Sequence, residues 1–162
     1  MKNKAVFLDR DGVVNRELGD YILRYEEFEI LPELIPFLYE VKQRGYKVII
    51  ITNQAGIAKG LYDHTLVDAC HSFLIEELAG HGLQIDEIYY CPHHPDFGNC
   101  LCRKPKSLLI EKALARFELD PSVSLMIGDK PRDVEAANGA GVRGFLVPPN
   151  PTLDQLLECL NS

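Results

Sequence analysis

Short apolar runs alternate along the chain with longer segments in which apolar residues recur at helical spacing. Charged residues, glycines or prolines bound each run, which is typical of strands buried in a parallel sheet. The run Ile85–Tyr90 is less apolar than the others and predicts a half-buried strand. The predicted strands are Ala5–Leu8, Lys47–Thr52, Ile85–Tyr90, Val123–Ile127 and Arg143–Val147.

The segments between these runs predict amphipathic helices. In the first of them, Leu34, Ile35, Leu38 and Val41 follow helical spacing, and Pro32 stands in the first turn. Glycines follow the first two helices, where they fit C-caps. The predicted helices are Pro32–Arg44, Thr65–His81, Lys106–Phe117, Pro131–Ala140 and Leu153–Leu160.

Strands that alternate with helices indicate the α/β fold class. The leading topology is a doubly wound, mostly parallel, Rossmann-like sheet with helices on both faces. Two irregular excursions, Asn15–Leu31 and Pro92–Pro105, interrupt the alternation. No repeat, low-complexity tract or long linker divides the chain, so residues 1–162 are expected to form one domain.

Composition and charge narrow the partners. The 162 residues are 46% hydrophobic and 25% charged, with a formal net charge of −7. An acidic chain argues against nucleic acid or an anionic membrane as partner, although the local cluster Arg103, Lys104 and Lys106 can still hold a small anion. No apolar stretch approaches the roughly 18 residues of a membrane span. Nothing resembles a signal peptide, so a cytoplasmic location is expected.

Polar residues stand at the ends of three predicted strands. Asp9 and Asp11 follow the first, Thr52 and Asn53 close the second, and Asp129 follows the fourth. The carboxyl ends of parallel strands meet at one edge of a sheet, so these side chains are expected to converge. Carboxylate and hydroxyl oxygens suit Mg²⁺, and the cluster predicts a magnesium site. The alternative is that strand-end aspartates only cap helices or turns.

Three of the five cysteines lie within twelve residues, next to histidine. Cys91, His93, Cys100 and Cys102 supply one nitrogen and three sulfurs, the composition of a closed structural zinc site. Free buried cysteines and an adventitious disulfide are the alternatives. Zinc would restrict a long loop with few apolar residues and would hold Lys104, two residues further on.

Two cysteines and one histidine remain outside this cluster. Cys70 and Cys159 lie in amphipathic helices and are expected to be small core residues. His94 is expected to be exposed.

Four motifs, in order, resemble those of the haloacid dehalogenase (HAD) superfamily of phosphatases. A narrower resemblance points to the heptose-bisphosphate and histidinol-phosphate phosphatases within it. The motifs of the superfamily are Asp9–Val13, Thr52–Asn53, Lys104 and Gly128–Asp133, and the narrower ones are Phe7–Gly12, Thr52–Gly60, Cys91–Pro95 and Cys100–Pro105.

The resemblance implies a mechanism. Asp9 would be the nucleophile that forms a phospho-aspartate, and Asp11 would be the general acid and base. Mg²⁺ would be held by Asp9, Asp129 and the main-chain carbonyl of Asp11. Thr52, together with Asn53 and Lys104, would donate to the transferring phosphoryl group.

The resemblance also implies contacts with the substrate, a small phosphorylated metabolite. Arg103, next to Lys104, and Lys130, next to Asp129, would hold the part of the substrate beyond the scissile phosphate. Asn53, Gln54 and Ala55 would line the same site. Asp133 is expected either to orient Lys104 or to cap the following helix. A monomer is expected.

No cap domain fits between the motifs, so specificity would depend on three loops: Glu17–Tyr21, Gln54–Lys59 and Arg103 with the zinc loop. Three departures from the heptose pattern bear on the substrate: a short zinc loop, Ala55 in place of serine, and an extra residue in the first loop.

Heptose 1,7-bisphosphate, cleaved at C7 in the route to ADP-heptose and lipopolysaccharide, is the leading substrate. Histidinol phosphate or a broader set of sugar phosphates is the alternative. A catalytically silent zinc module is disfavoured because both Asp9 and Asp11 are present.

Overall fold

Five parallel strands form one sheet in the computed structural model, which describes residues 2–162. The order across the sheet is β3-β2-β1-β4-β5, and every pair of neighbours is parallel. The doubly wound parallel fold predicted from the sequence is confirmed. The strands are β1 (Ala5–Leu8), β2 (Lys47–Asn53), β3 (Glu87–Cys91), β4 (Leu125–Gly128) and β5 (Arg143–Leu146).

Five helices cover the two faces of this sheet. Successive residues of a strand point to opposite faces, so Val6 and Leu8 pack into one core while Phe7 packs into the other. Helices α1, α2 and α5 bury their apolar sides in the first core, and α3 and α4 bury theirs in the second. The helices are α1 (Leu34–Gln43), α2 (His64–Gly80), α3 (Leu108–Arg116), α4 (Pro131–Gly139) and α5 (Leu153–Asn161).

All predicted elements are present, and their ends differ by at most two residues from the predicted ones. One difference has a clear physical reason: β4 begins at Leu125 and not at Val123. A 3-10 turn occupies Pro121–Val123, and the Val123 side chain is exposed there. Helix α2 begins where its N-cap, Asp63, accepts a hydrogen bond from the Leu66 backbone N–H at 3.2 Å.

The strand order determines where a ligand can bind. The chain leaves β1 toward β2 on one side and returns through α3 to β4 on the other, so the direction of winding reverses at β1. Ligands of open α/β sheets bind outside the carboxyl ends of strands at such a reversal. The two excursions contribute only short 3-10 turns, Tyr25–Glu27 and Pro95–Phe97, which fits a chain without a cap domain. No helix among residues 2–162 has the length and apolar character needed to cross a membrane.

Candidate active site

A buried lysine joins two aspartates at the carboxyl edge of β1 and β4. Lys104 Nζ lies 2.8 Å from Asp9 Oδ1 and 2.7 Å from Asp133 Oδ1, and it donates to the Ile51 carbonyl oxygen at 2.7 Å. Lys104 is only 1% exposed, and Asp133 is completely buried. One cation therefore stabilises two buried carboxylates, which would otherwise be costly to desolvate.

The backbone of Lys104 is itself held by a neighbouring strand end. The Asn53 side chain accepts from the Lys104 backbone N–H at 3.0 Å and donates to its carbonyl at 3.2 Å. Asn53, predicted to donate to the phosphoryl group, thus uses its amide on the main chain of the motif lysine. The lysine is positioned by β2 as well as by its ion pairs.

Asp133 both orients Lys104 and caps the following helix, the two roles that the sequence left open. One carboxylate oxygen pairs with Lys104, and the other accepts from the Lys130 backbone N–H at 3.0 Å, as a capping box of α4. Gly128 makes room for it, because a Cβ there would lie 2.3 Å from the Asp133 Cβ atom.

Asp129 has the surroundings expected of a cation ligand. Both of its carboxylate oxygens are buried and receive no hydrogen bond from residues 2–162, and the nearest cation, Lys130 Nζ, is 3.8 Å away. Buried charges are normally paired or bind metal. Carboxylate oxygens of Asp9, Asp129 and Asp133 all lie within 4.8 Å of one another. A cation such as Mg²⁺ fits this donor set.

A glycine allows the close approach of the two aspartate-bearing loops. A Cβ on Gly12 would lie 2.4 Å from Asp129 Oδ2, and the residue has a φ of +94°. Both features exclude side chains at this position. The glycine after Asp11 is therefore part of the architecture that brings Asp129 to the site.

Asp11 is surrounded by hydrogen-bond donors. Arg10 Nη2 donates to its Oδ1 at 2.8 Å, Asn15 Nδ2 to the same oxygen at 2.9 Å, and Gln54 Nε2 to Oδ2 at 3.0 Å. The Arg10 side chain is buried, with Nη1 3.3 Å from His71 Nε2. The Asp11 side chain remains 30% exposed, whereas Asp9 is 8% exposed.

These surroundings separate the two carboxyl groups in acidity. Burial raises the pKa of Asp9 to about 8, with Lys104 opposing the increase. Burial also acts to raise the pKa of Asp11, but the Arg10 charge and the donors on its oxygens lower it overall. Burial lowers the pKa of Lys104, yet Asp9 and Asp133 raise it above its ordinary value, so the lysine stays charged. A bound cation would favour ionised Asp9.

A cavity of about 350 Å³ opens beside Asp11. Its lining residues include Glu17 and Tyr21 from the first predicted specificity loop and Gln54 from the second. Three cationic residues also line it: Arg10, Lys130 and Arg132. Arg103 and Ala55 are not among them. A cavity of about 390 Å³ at the amino edge of the sheet lies far from these carboxylates and belongs to a different part of the molecule.

Sequence reasoning missed two of the arginines that shape the site. Arg132 lines the cavity, and its buried Nε has no hydrogen-bond partner among the described residues. Arg103 instead donates to the His93 carbonyl oxygen at 3.4 Å, within the cysteine loop. The position of Arg132 two residues after Lys130, at the start of α4, is the only sequence signal that could have indicated it. The other missed residue is Arg10, whose burial no local pattern reveals.

The four predicted zinc ligands come together in one cluster. His93 Nδ1 lies 3.4 Å from Cys91 Sγ and 3.3 Å from Cys102 Sγ, and Cys91 Sγ lies 3.7 Å from Cys100 Sγ. All five cysteines are free of disulfides. Cys91 Sγ and Cys102 Sγ are closer, at 3.0 Å, and the four ligand atoms all lie within 4.8 Å of one another, close enough to surround one ion.

The remaining cysteines and His94 are accounted for. Cys70 and Cys159 are buried in the first core, as predicted. His94 was expected to be exposed, but it is half-buried because its ring caps the Pro95–Phe97 turn, with Nδ1 accepting from the Asp96 backbone N–H at 3.1 Å.

One protein family matches most of the chain, including all four motifs. Residues 3–141 match the haloacid dehalogenase-like hydrolase family. The chain belongs to this family. The resemblance drawn from the motifs is confirmed, and with it the assignment of the chain as a hydrolase.

Several relatives of this HAD hydrolase have named activities. D-glycero-alpha-D-manno-heptose-1,7-bisphosphate 7-phosphatase of Photorhabdus laumondii is 40% identical over 153 residues, covering 90% of this chain and 83% of the relative. D-glycero-beta-D-manno-heptose-1,7-bisphosphate 7-phosphatase of Haemophilus influenzae is 38% identical, covering 87% and 79%. A D,D-heptose 1,7-bisphosphate phosphatase from B. bronchiseptica, crystallised with magnesium and phosphate, has a TM-score of 0.84 at 34% identity, covering 96% and 86%.

Proposed function

We propose that this HAD hydrolase is a Mg²⁺-dependent phosphatase that removes the C7 phosphate of D-glycero-D-manno-heptose 1,7-bisphosphate, in the supply of ADP-heptose for lipopolysaccharide. The observation that carries the proposal is the group of Asp9, Lys104, Asp129 and Asp133 at the carboxyl edge of the sheet. Two of its carboxylates are paired to the lysine, and the third, Asp129, has both oxygens unpartnered among the described residues. Relatives that act on heptose bisphosphate support the choice of substrate.

Asp9 would act as the nucleophile. Lys104 occupies Asp9 Oδ1, and Oδ2 receives no hydrogen bond from the described residues. Oδ2 attacks phosphorus, a phospho-aspartate forms, and the bond from phosphorus to the leaving oxygen breaks. The Thr52 hydroxyl, at the end of β2, would donate toward the transferring oxygens. Lys104, whose Nζ already donates to Asp9, Asp133 and the Ile51 carbonyl, would act on them through its positive charge.

Asp11 would move the proton. Its carboxyl group is the more exposed of the pair and lines the cavity. Arg10 and the donors on its oxygens keep Asp11 ionised before substrate binds. The negative charge of the bound phosphate would favour uptake of a proton by Asp11, which then gives this proton to the departing alkoxide oxygen in the first half-reaction. Asp11 then takes one from the water that attacks the phospho-aspartate, which releases phosphate and regenerates Asp9.

Asp9, Asp129 and the Asp11 main-chain carbonyl would hold Mg²⁺. When bound, the ion supplies positive charge that reduces the repulsion between the carboxylate nucleophile and the anionic substrate. Cys91, His93, Cys100 and Cys102 would hold a structural Zn²⁺ that fixes the loop carrying Lys104.

The second phosphate of the substrate would occupy the cavity near Lys130 and Arg132. Both line it, and an arginine suits bidentate contact with phosphate. Histidinol phosphate lacks a second phosphate, and the short zinc loop between His93 and Cys100 is the observation that favours it as the alternative.

The test is a substrate panel with a matched pair of variants. With Mg²⁺, the wild type should turn over heptose 1,7-bisphosphate, in either anomer, faster than histidinol phosphate. Asp9→Asn keeps the shape of the side chain but removes the anion, so turnover should fall by at least about 10³-fold. Asp154→Asn, the same change at an exposed position of α5, should leave it unaltered.

Two results would count against the proposal. Asp9→Asn that kept more than a few per cent of activity would exclude the phospho-aspartate. Faster cleavage of histidinol phosphate than of both heptose anomers would move the chain to the alternative function.

One domain over residues 1–162, a monomer and a cytoplasmic location stay predictions, and light scattering after gel filtration tests the monomer.

A further inference from the structure

We propose that Gln54 is a positioning residue for proton transfer: with Tyr62, it holds Asp11 so that one lone pair of Oδ2 faces the cavity and the leaving oxygen. The inference rests on the proposed phosphatase function. It differs from the expectation, based on resemblance, that Gln54 contacts the substrate itself.

The hydrogen bonds of Asp11 leave one place for a proton. A carboxylate oxygen accepts about two hydrogen bonds. Oδ1 already receives two, from Arg10 Nη2 at 2.8 Å and Asn15 Nδ2 at 2.9 Å. Oδ2 receives one, from Gln54 Nε2 at 3.0 Å. The remaining acceptor site is therefore on Oδ2, and its direction depends on where the Gln54 amide lies.

The Gln54 amide has one satisfactory orientation. Its Oε1 accepts from the Tyr62 hydroxyl at 2.7 Å, and its Nε2 donates to Asp11 Oδ2 and to Thr52 Oγ1 at 2.9 Å. Gln54 is only 4% exposed, so water does not compete for these bonds. Rotating the amide by 180° would turn Oε1 toward the carboxylate and remove both donations.

Gly56 leaves the space that the Tyr62 ring needs to reach this amide. A Cβ at Gly56 would lie 2.1 Å from Tyr62 Cε1, so any larger residue would displace the ring. The Tyr21 ring also contacts Tyr62, with centroids 6.3 Å apart. Tyr62 and Gln54 both line the cavity.

Asp11 Oδ2 gives up one proton and takes up one proton in each catalytic cycle. In the first half-reaction the Oδ2–H bond breaks and its proton goes to the leaving oxygen, while the bond from that oxygen to phosphorus breaks and the bond from Asp9 to phosphorus forms. In the second, an O–H bond of water breaks, its proton goes to Oδ2, and the water oxygen bonds to phosphorus while the Asp9–phosphorus bond breaks. Gln54 and Tyr62 exchange no proton and act only through the position of Asp11.

The experiment compares leaving groups, because a poorly placed acid harms poor leaving groups most. The variants are Tyr62→Phe, which removes one oxygen, and Gln54→Ala. The matched control is Tyr39→Phe, whose hydroxyl donates to the His81 carbonyl oxygen on the protein surface. The substrates are an alkyl phosphate, heptose 1,7-bisphosphate and aryl phosphates of graded leaving-group pKa.

For Gln54→Ala we expect kcat on the alkyl and heptose phosphates to fall by about 10- to 100-fold, within the range of general acid catalysis, while nitrophenyl phosphate loses less than about threefold. Tyr62→Phe should show the same pattern more weakly, and Tyr39→Phe none. The rate should depend more steeply on leaving-group pKa in both active-site variants.

Other outcomes would overturn the inference. An equal loss on all substrates together with a lower Tm would indicate a purely structural role. A higher KM for heptose bisphosphate at unchanged kcat would indicate direct substrate contact. If Gln54→Ala does not fold, Tyr62→Phe alone decides. A wild type inactive on every phosphate monoester would refute the proposed function, whereas an active wild type with unaltered leaving-group dependence in the variants would refute only this inference.

Discussion

His71 should make the stability of the fold sensitive to acid. This histidine of α2 is 7% exposed, and its Nε2 lies 3.3 Å from Arg10 Nη1. Burial, and then the Arg10 charge, lower the pKa of His71 from 6.5 to about 3, and Asp11 opposes them only in part. The folded protein therefore keeps this ring neutral under conditions in which the unfolded chain protonates it.

The sign and the size of the effect follow from that difference. Between the two pKa values the unfolded state binds more protons, so the free energy of unfolding decreases as the pH falls below 6.5. For pKa values of about 3 and about 6.5, the loss on going from about pH 7 to about pH 5 is about 2 kcal/mol. The loss of stability would grow further until the pH approaches the pKa of His71 in the folded protein.

Urea unfolding at the two pH values, for wild type and His71→Gln, measures this. Glutamine keeps an acceptor for Arg10 but does not titrate, so the variant should lose about 2 kcal/mol less than the wild type. Contributions of other groups cancel in the comparison. His81→Gln, at the exposed end of the same helix, serves as the control. Equal losses in wild type and His71→Gln would refute the reasoning.

Two further predictions concern the metal loop and the cavity. Cys102→Ser should lower the zinc content below about one ion per chain and reduce Tm by at least about 5 °C, as measured by elemental analysis and calorimetry. Cys159→Ser should retain zinc, and a fully active Cys102→Ser variant with unaltered Tm would contradict a structural zinc. Arg132→Ala should lower kcat/KM for heptose bisphosphate by about ten- to a hundredfold and spare aryl phosphates. If Arg103→Ala shows that loss and Arg132→Ala does not, the role assigned to the cavity is wrong.

Strand ends were the most informative feature of the sequence. Asp9, Asp11 and Asp129 each follow an apolar run, and parallel topology alone makes them converge. The fold class and the clustering of the cysteine-loop ligands could likewise be predicted, because both depend on short-range patterns. The start of β4 differed because the 3-10 turn ending at Val123 continues the apolar pattern without extending the strand.

The partners of each side chain could not be predicted. Arg10 stands between two aspartates, a position that looks solvated, yet its burial depends on His71, which is 61 residues away. Asn53 looked like a phosphate donor until its amide was found on the backbone of Lys104, 51 residues away. Such pairings come from tertiary packing, to which local periodicity is insensitive.

The charge group of Asp9, Lys104 and Asp133 also bears on how the chain folds. Its members come from three distant segments, with 95 residues between the lysine and the first aspartate. A collapsed intermediate that enclosed only one or two of them would bury an uncompensated charge, at a cost of several kcal/mol. Partly assembled compact states are therefore penalised until β1, the loop before α3 and the start of α4 have all docked. During refolding, activity should therefore return only after this last step of assembly. Spectroscopic signals of sheet formation should appear earlier than the activity.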